Sequence, residues 1–481
     1  MRHWYGSLKG SRRCAAHGLA GLAVLVCGSL CGWVPAVPAQ GSVVGHAAPA
    51  GISARSTGAA APVAATRAWH VYVPSDTAGH GPGVVPVIDT ATNAVTRTIT
   101  AGDNPASVAI TPDATEAYVV NMFSSDVSVI DLATNRVVAT INVGCFPVGV
   151  AIAPNGRKAY VANDCSSDVS VIKTRTNKLT GTIHDAGPEP EYVDITPNGA
   201  KAYVTGPMTT DVRVIDTAAD RVTAVVKTNT RYSLIASAMS PDGKFLYVAN
   251  ACCQVFVIST ATDKVVHTIT VNGPESSPDD LAMSPDGTKL YALTSPNFRL
   301  RSSISVIDTA TDKVTSHIRL PHYAGDFPGL FFTPDGKFGY VTLNDRSVGV
   351  IDTATGAVVR TVGVRGVPRG PAVTPDQAPV AKVKVTPAPA GHRTHFDASA
   401  STVRYGTIAG FAWNFGDGTT ATTSTPVTTH VYTAPGTCTV KLTETSSGGT
   451  STTKVFTGTT MSRNGGPSAV TTAKAKIRAP A

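Results

Sequence analysis

The chain has 481 residues, and only 15% of them are charged. A chain of this length is too long for one ordinary core, so more than one domain is expected. The formal net charge of +8 comes from four basic residues in the first 40 positions and four in the last 25, where no acidic residue occurs. Because the residues in between carry no net charge, nothing in the sequence supports the basic face that a nucleic-acid-binding protein should show, and no nucleic-acid partner is expected.

The first 67 residues predict export rather than a folded domain. A basic segment is followed by an apolar run at 19–30 and by small residues ending at Ala39. This order is typical of a secretory signal peptide, which we place at residues 1–39. The apolar run is short for a transmembrane helix, so no membrane span is expected after cleavage. Residues 40–67 are small and polar without periodicity, which predicts a disordered leader. The mature protein is expected to be secreted, either extracellular or at the cell surface.

One sequence repeat recurs from residue 68 onward. Its fullest copy occupies residues 108–135, and the next occupies 150–177. The Ile that ends one apolar run returns every 42 to 49 residues. A period in this range, with several strand-like runs per copy, is typical of β-propeller blades rather than helical repeats. The Tyr that follows a turn marks seven copies, at Tyr72, Tyr118, Tyr160, Tyr203, Tyr247, Tyr291 and Tyr340.

Each full copy predicts a four-stranded antiparallel meander. Its first strand ends in a turn such as Ser-Pro-Asp-Gly at 240–243, where Pro fixes φ and Gly accepts a positive φ. All connections are short, which favours hairpins. The first copy lacks its first strand, whereas residues 370–376 supply an extra first strand after the last copy. We therefore predict an all-β fold in which a seven-bladed β-propeller at 68–376 closes by strand exchange.

Three recurring motifs carry a family resemblance. They are Tyr-Val runs such as Tyr118-Val119, the Pro-containing turns, and Val-Ile-Asp-Thr as at 306–309. With these motifs, residues 68–376 resemble the YVTN-type β-propeller repeat family of bacterial and archaeal surface-layer and secreted proteins. The resemblance implies a propeller fold but little about function, because the shared motifs form the scaffold.

Residues 379–457 lose the repeat period and predict a second domain. Alternating runs occupy 411–418 and 438–443. These segments resemble a PKD domain, an immunoglobulin-like β-sandwich, and alternation places Trp413 and Phe415 in its core. The resemblance implies contact with protein or polysaccharide, as an adhesion or spacer module.

The resemblance also bears on metal binding. Residues 401–404, Ser-Thr-Val-Arg, stand where some family members carry the acidic residues that bind calcium, so no metal is expected. The residues after the domain, 458–481, predict a disordered basic tail.

Five cysteines remain after the signal peptide. Cys145 and Cys165 occupy two loops of one copy that emerge on the same side of a meander, so a disulfide is expected in an exported protein. Cys252 and Cys253 are adjacent, and either a vicinal disulfide or pairing elsewhere fits them. Cys438 is expected to be a buried thiol. No Cys or His set has metal-ligand spacing, so no metal and no cofactor are predicted.

The copies differ most in the loops that enter each first strand and in those between the second and third strands. We call the side where both emerge the variable-loop face, and the opposite side, which carries the shared turns, the scaffold-turn face. Variable loops on a fixed scaffold are where binding is expected, the alternative being that they are merely solvated. The candidate binding residues around the central funnel are Asn104, Phe146, Glu189, Tyr192, Arg231, Tyr232, Asp279, His322, Tyr323, Asp326 and Arg369.

The sequence contains no nucleophile elbow, phosphate-binding loop or dinucleotide fingerprint, and no catalytic residue is predicted. The leading hypothesis is a secreted, non-enzymatic binding protein of the cell envelope or extracellular matrix, whose partner is an extracellular protein or polysaccharide. One alternative is a propeller enzyme of the lactonase, lyase or metal-dependent reductase kind, with its site in the central funnel. Another is a self-assembling surface-layer component, and the oligomeric state is left open.

Overall fold

The computed structural model describes residues 68–77, 81–271, 277–294, 301–325 and 328–480, which belong to one compact unit. The predicted signal peptide and leader lie outside the described residues. Strands and turns make up almost all of the described chain, and its two helices are 3-10 turns at Thr174–Thr176 and Pro467–Ala469. No helix in these ranges is long and apolar enough to cross a membrane.

The repeat region is built from antiparallel sheets. The first sheet contains β1 (His70–Tyr72), β2 (Ser75–Asp76), β3 (Pro82–Asp89) and β4 (Ala94–Asp103). Six four-stranded meanders follow, each with its strands paired in chain order. The first three are β5 (Pro105–Ile110), β6 (Glu116–Asn121), β7 (Asp126–Asp131) and β8 (Arg136–Asn142); β9 (Pro147–Ile152), β10 (Lys158–Asn163), β11 (Asp168–Lys173) and β12 (Lys178–Ile183); and β13 (Tyr192–Ile195), β14 (Lys201–Thr205), β15 (Asp211–Asp216) and β16 (Arg221–Lys227). The last three are β17 (Leu234–Met239), β18 (Phe245–Asn250), β19 (Gln254–Ser259) and β20 (Lys264–Thr270); β21 (Pro278–Met283), β22 (Lys289–Thr294), β23 (Ser303–Asp308) and β24 (Lys313–Arg319); and β25 (Leu330–Phe332), β26 (Phe338–Leu343), β27 (Ser347–Asp352) and β28 (Ala357–Gly363).

Local side chains hold the shared turns. At residues 240–243, the Asp242 carboxylate accepts hydrogen bonds from the Ser240 hydroxyl (2.7 Å) and from the Lys244 N–H (3.0 Å). Gly243 has a φ of +71°, which residues with a side chain rarely adopt. The turn acids therefore stabilise hairpins, as their positions in the sequence indicate.

The repeated Tyr joins neighbouring sheets. The Tyr160 hydroxyl donates to Asp220 Oδ1 (2.9 Å), in the turn between the third and fourth strands of the next meander. Its burial and the nearby carboxylate raise the pKa of Tyr160 well above the usual range, so the hydroxyl stays a donor. Tyr340 makes the equivalent bond to Asn93 Oδ1 (2.7 Å), which joins the last meander to the first sheet.

The two ends of the repeat region also meet in the first sheet. The short strands β29 (Val367–Pro368) and β30 (Ala372–Val373) pair antiparallel with β2 and β1, so that Val71 lies opposite Val373. Val71 packs in one cluster with Tyr340 of the last meander. Residues separated by about the full length of the repeat region therefore share one sheet.

The remaining strands belong to the second domain and its connections. They are β31 (Asp376–Gln377), β32 (Lys384–Thr386), β33 (Arg393–Asp397), β34 (Ile408–Asn414), β35 (Thr420–Thr423), β36 (Val427–Val431), β37 (Gly436–Ser446), β38 (Val455–Phe456), β39 (Met461–Asn464) and β40 (Val470–Ile477). Three of them, β32, β33 and β36, form one sheet, and β35, β34, β37 and β40 form the other. Trp413 and Phe415 are buried between these sheets, as predicted, together with Phe396. The half-buried Cys438 packs beside them as a thiol.

The prediction of a disordered tail at 458–481 is wrong for the described residues. β40 pairs with β37 from Gly436↔Ile477 to Thr443↔Val470 and completes the second sheet of the sandwich. Ala475 and Ile477 are buried in its core, whereas Lys474 and Lys476 face solvent. The exposed lysines gave the segment a basic composition that concealed its alternation.

Candidate functional site

A cavity of about 120 Å³, which we call the central cavity, is lined by one strand from each of the seven described sheets of the repeat region. These strands are β5, β9, β13, β17, β21, β25 and β30. The lining residues are mostly aliphatic and aromatic, and they include Glu191, Asp194 and Asp280. None of the described lining residues is Lys, Arg or His.

The second domain closes this cavity at the scaffold-turn face. Its β38–β39 hairpin, which we call the floor hairpin (residues 455–464), lines the cavity through residues between Thr457 and Ser462. The backbone N–H of Ile195 donates to Gly458 O (2.8 Å), and that of Ile152 donates to Thr459 O (3.2 Å). These bonds fix the tip of the hairpin against the ends of β13 and β9.

Further contacts dock the second domain on the scaffold-turn face. The Arg404 guanidinium donates to the backbone oxygens of Asp113 (2.6 Å) and Ala114 (2.8 Å), in a shared turn of the repeat region. The buried Asp376 carboxylate accepts hydrogen bonds from Trp69 Nε1 (3.2 Å) and from the Ser446 hydroxyl. Arg404 therefore contributes to the contact between the two domains.

Asp194 is the most deeply buried acid of the cavity. It occupies the inner-strand position held by Ala in five of the other copies, and it is 1% exposed. Its Oδ2 accepts a hydrogen bond from the Ser237 hydroxyl (2.5 Å), while Oδ1 has no hydrogen-bond partner among the described residues. Burial raises the pKa of Asp194 to about 7, despite the opposing hydrogen bonds from Ser237 and the Met239 N–H.

Asp280 is the second acid of the pair. Its Oδ2 accepts a hydrogen bond from the Leu330 N–H (2.9 Å). Burial raises the pKa of Asp280 to about 8, with smaller contributions from the charges of Asp194 and Asp279. Each of the two carboxyl groups can therefore gain or lose a proton near neutral pH. In its protonated form a carboxyl group can also donate a hydrogen bond.

The variable-loop face contains backbone strain at three equivalent positions. Asn104, Phe146 and Glu189 each precede a proline at the entrance to an inner strand, and their φ angles are +57°, +56° and +47°. A positive φ is a genuine outlier for a bulky residue such as Phe. The loop around Phe146 is held by a hydrogen bond from the Asp164 N–H to Phe146 O (3.0 Å).

The predicted disulfide braces the same loops. Cys145 and Cys165 are joined in the structure, with their Cα atoms 5.2 Å apart. The rings of Phe123 and Phe146 lie beside it with centroids 5.7 Å apart, and Phe123 is 40% exposed.

Two acids lie in these loops beside the aromatic rings. Burial raises the pKa of Asp164 to about 6, and the charge of Glu189 adds to the shift. Burial also raises the pKa of Glu189. The braced loops therefore combine aromatic and carboxyl groups.

The other described candidate binding residues do not lie together in one site. Tyr192 lines the central cavity, and its hydroxyl lies 3.5 Å from the backbone oxygen of the buried Asp279. Asn104 and Arg369 are buried and both approach the Asp76 carboxylate, at 3.2 Å and 3.6 Å. The contacts of Asn104 and Arg369 with Asp76 suit a role in holding the first sheet to the neighbouring sheet.

Four further candidates lie on exposed loops, and one lies outside the described residues. The Arg231 guanidinium donates to the Tyr232 hydroxyl (3.1 Å) and stands over its ring. His322 Nε2 lies 3.3 Å from an Asp345 carboxylate oxygen, and the backbone oxygen of Tyr323 accepts a hydrogen bond from Asn344. Asp326 lies outside the described residues. The structure brings together the loops of Phe146 and Glu189, and it does not gather the ten described candidates around one funnel.

Cys252 and Cys253 lie in another variable loop. Their Sγ atoms are 3.3 Å apart, which is a contact between thiols rather than a disulfide. The Asn250 side chain holds the loop, accepting hydrogen bonds from both backbone N–H groups (3.2 and 3.1 Å). Within the described ranges, no group of three or more His, Cys, Asp or Glu side chains is arranged to hold a metal ion.

Comparison with known proteins identifies the family of the second domain. Residues 376–460 match the PKD domain family. A WD repeat-containing protein of Synechocystis sp. is 29% identical over 135 residues, which cover 27% of this chain and 34% of that protein. The chain thus spans about a third of the length of this curated relative.

Two solved structures are similar in fold to about two thirds of this chain. One is a functionally unknown protein from Desulfotomaculum acetoxidans (TM-score 0.53, 17% identity, 64% of this chain and 98% of that one). The other is a proposed 6-phosphogluconolactonase from Bacteroides fragilis (TM-score 0.54, 19% identity, 65% of this chain and 99% of that one). At these identities the likeness concerns the fold alone. The protein is an all-β chain with a propeller-like repeat region and a PKD domain.

Proposed function

We propose that the protein is an extracellular binding protein that recognises a protein or a glycan through its variable-loop face. The PKD domain and the disulfide between Cys145 and Cys165 support an extracellular setting, because disulfides persist in oxidising compartments. The PKD domain docks on the opposite face and leaves the variable loops accessible.

The proposal includes a closed ring of seven YVTN-type blades at 68–376. The pairing of β1 with β30 and the hydrogen bond from Tyr340 to Asn93 support closure, because both join the end of the repeat region to its start. Closure removes open sheet edges and presents the variable loops as one continuous surface.

The observation that carries the proposal is the strained and disulfide-braced loop set around Phe146. Strained backbone persists where the surrounding structure enforces it, and such positions cluster at functional sites. Here the strain positions an aromatic side chain beside the exposed Phe123, with the carboxyl groups of Asp164 and Glu189 in the neighbouring loops. Aromatic rings anchor protein partners and stack on sugar rings, while carboxylates accept hydrogen bonds from sugar hydroxyls.

An enzyme is the second candidate, and the Asp194–Asp280 pair is the observation in its favour. A general acid or base works best with a pKa near the ambient pH, and both carboxyl groups meet this condition. The cavity of about 120 Å³ is small, however, since pockets for small molecules usually measure about 300–1,000 Å³. We therefore assign the principal function to the variable-loop face.

The test is binding of the mature chain to a glycan array and to cell-envelope proteins. Phe146→Ala removes the braced ring and should weaken binding by about tenfold or more, as loss of a central aromatic anchor does. Val359→Ala, at a 55% exposed position on the outer strand β28, is the matched control and should leave binding unchanged. If the chain retains no ligand, or if Phe146→Ala binds as the wild type does, the proposal fails. Light scattering separates self-assembly from partner binding, since a concentrated monomer contradicts a surface-layer role.

A further inference from the structure

We propose that the central cavity is a binding site for a small organic ammonium group, held by the carboxylates of Asp194 and Asp280. This site is separate from the variable-loop surface, and each can be tested without the other. Its chemistry follows from charge, unpartnered atoms and size.

The charge of the cavity wall favours a cationic ligand. Asp194 and Asp280 line the cavity, and no basic residue occurs among the described lining residues. Buried carboxylates normally have a cationic partner, because an isolated charge in an apolar setting is costly. Burial raises the pKa of Asp194 and of Asp280, and a bound cation would lower both pKa values.

Buried oxygen atoms in the cavity wall lack hydrogen-bond partners among the described residues. Asp194 Oδ1, Thr460 Oγ1 and Ser462 Oγ are buried without hydrogen-bond partners among the described residues. All three residues line the cavity, and Asp194 and Thr460 are 1% and 5% exposed. An ammonium group carries three donors and no acceptor, so it complements such a set.

The cavity wall suits an organic cation better than a metal ion. A calcium or magnesium ion takes six or more oxygen ligands, and the described residues contain no group of three or more His, Cys, Asp or Glu side chains that could hold a metal ion. The wall also carries the rings of Tyr192 and Phe331, and aromatic faces attract organic cations. A volume of about 120 Å³ corresponds to only about four water molecules, so the ligand is small or inserts only its ammonium end.

The test is calorimetric titration of the mature chain with methylammonium chloride at constant ionic strength. Saturable binding is expected at pH 8.5. At pH 5.5 it should weaken by about tenfold or more, because the protonated carboxyl groups must release their protons. Asp280→Asn should weaken binding by about tenfold or more, as loss of a charged partner does. Thr460→Val keeps both carboxyl groups and the side-chain shape, and it should weaken binding to a smaller extent.

The controls separate this site from general electrostatic attraction. Asp308→Asn removes a half-exposed turn carboxylate from the same sheet as Asp280 and should leave the affinity unchanged. Tetrabutylammonium is too large for the cavity and should not compete. The proposal is overturned if methylammonium gives no saturable heat, if Asp280→Asn and Thr460→Val both bind as the wild type does, or if sodium or calcium ions bind more tightly than methylammonium.

Discussion

Replacing Gly458 with Ala tests how the floor hairpin closes the central cavity. A Cβ built on Gly458 would lie 2.1 Å from Asp194 Oδ1 and 2.9 Å from Met239 Cβ, at a backbone φ of +100°. Neither neighbour can move easily, because Ser237 holds the Asp194 carboxylate and Met239 is fully buried. The substitution must therefore strain the tip or displace it.

The free-energy costs of strain and of displacement decide between these two outcomes. Overpacking costs about 1–3 kcal/mol, and an unfavourable φ adds about 1–2 kcal/mol. Displacing the whole hairpin would forfeit two backbone hydrogen bonds at about 1 kcal/mol each, and would expose Phe456 and Met461 at about 1.5–3 kcal/mol each. Strain is the smaller cost, so we expect the hairpin to stay with a distorted tip and the free energy of unfolding to fall by about 2–5 kcal/mol.

Denaturant unfolding and hydrogen exchange measure this effect. The Ile195 N–H should exchange faster in Gly458→Ala, because its bond to Gly458 O is weakened. Gly466→Ala is the matched control, since Gly466 has extended backbone (φ −177°) and its built Cβ meets nothing within 4 Å. Wild-type stability together with wild-type exchange in Gly458→Ala would refute the packing of the hairpin tip.

The remaining predictions concern ring closure, the disulfide and the buried acid. Tyr340→Phe removes the hydrogen bond to Asn93 and should lower the free energy of unfolding by about 1 kcal/mol in urea; an unchanged midpoint would argue against that link. Cys145→Ser opens a loop whose ends are 20 residues apart and should cost about 3 kcal/mol without reductant, whereas equal stability of the two chains would show that the bond adds nothing. The raised pKa of Asp194, about 7, means that its contribution to stability is present near pH 4 and is lost as the pH rises through 7. Asp194→Asn should therefore show a flatter stability profile than the wild type between pH 4 and 8, and parallel profiles would contradict the raised pKa.

The strands of the repeat region could be predicted because turn residues and polar–apolar alternation within each copy determine them. Turn residues such as Pro241 and Gly243 and the alternation of each run are visible in any one copy. The link from Tyr160 to Asp220 is also encoded in the repeat, but it joins two copies and becomes apparent only when neighbouring sheets are placed side by side.

The central acids and the docking of the second domain were not predicted, for different reasons. Asp194 interrupts a buried strand where other copies have Ala, and this departure from the repeat is the signal that could have identified it. Neither the floor hairpin nor Arg404 carries such a signal, because the contacts of Gly458 and Arg404 join segments far apart in the sequence. Burial also had to be known before the pKa of Asp280 could be assigned a direction.

Binding by the variable-loop face is tested most directly by comparing three forms of the mature chain on one glycan and protein ligand panel. We expect the wild type and Asp280→Asn to retain the same ligand with similar affinity, and Phe146→Ala to bind it about tenfold or more weakly. Unchanged binding by Phe146→Ala together with loss of binding by Asp280→Asn would place the ligand in the central cavity and would contradict binding by the variable-loop face.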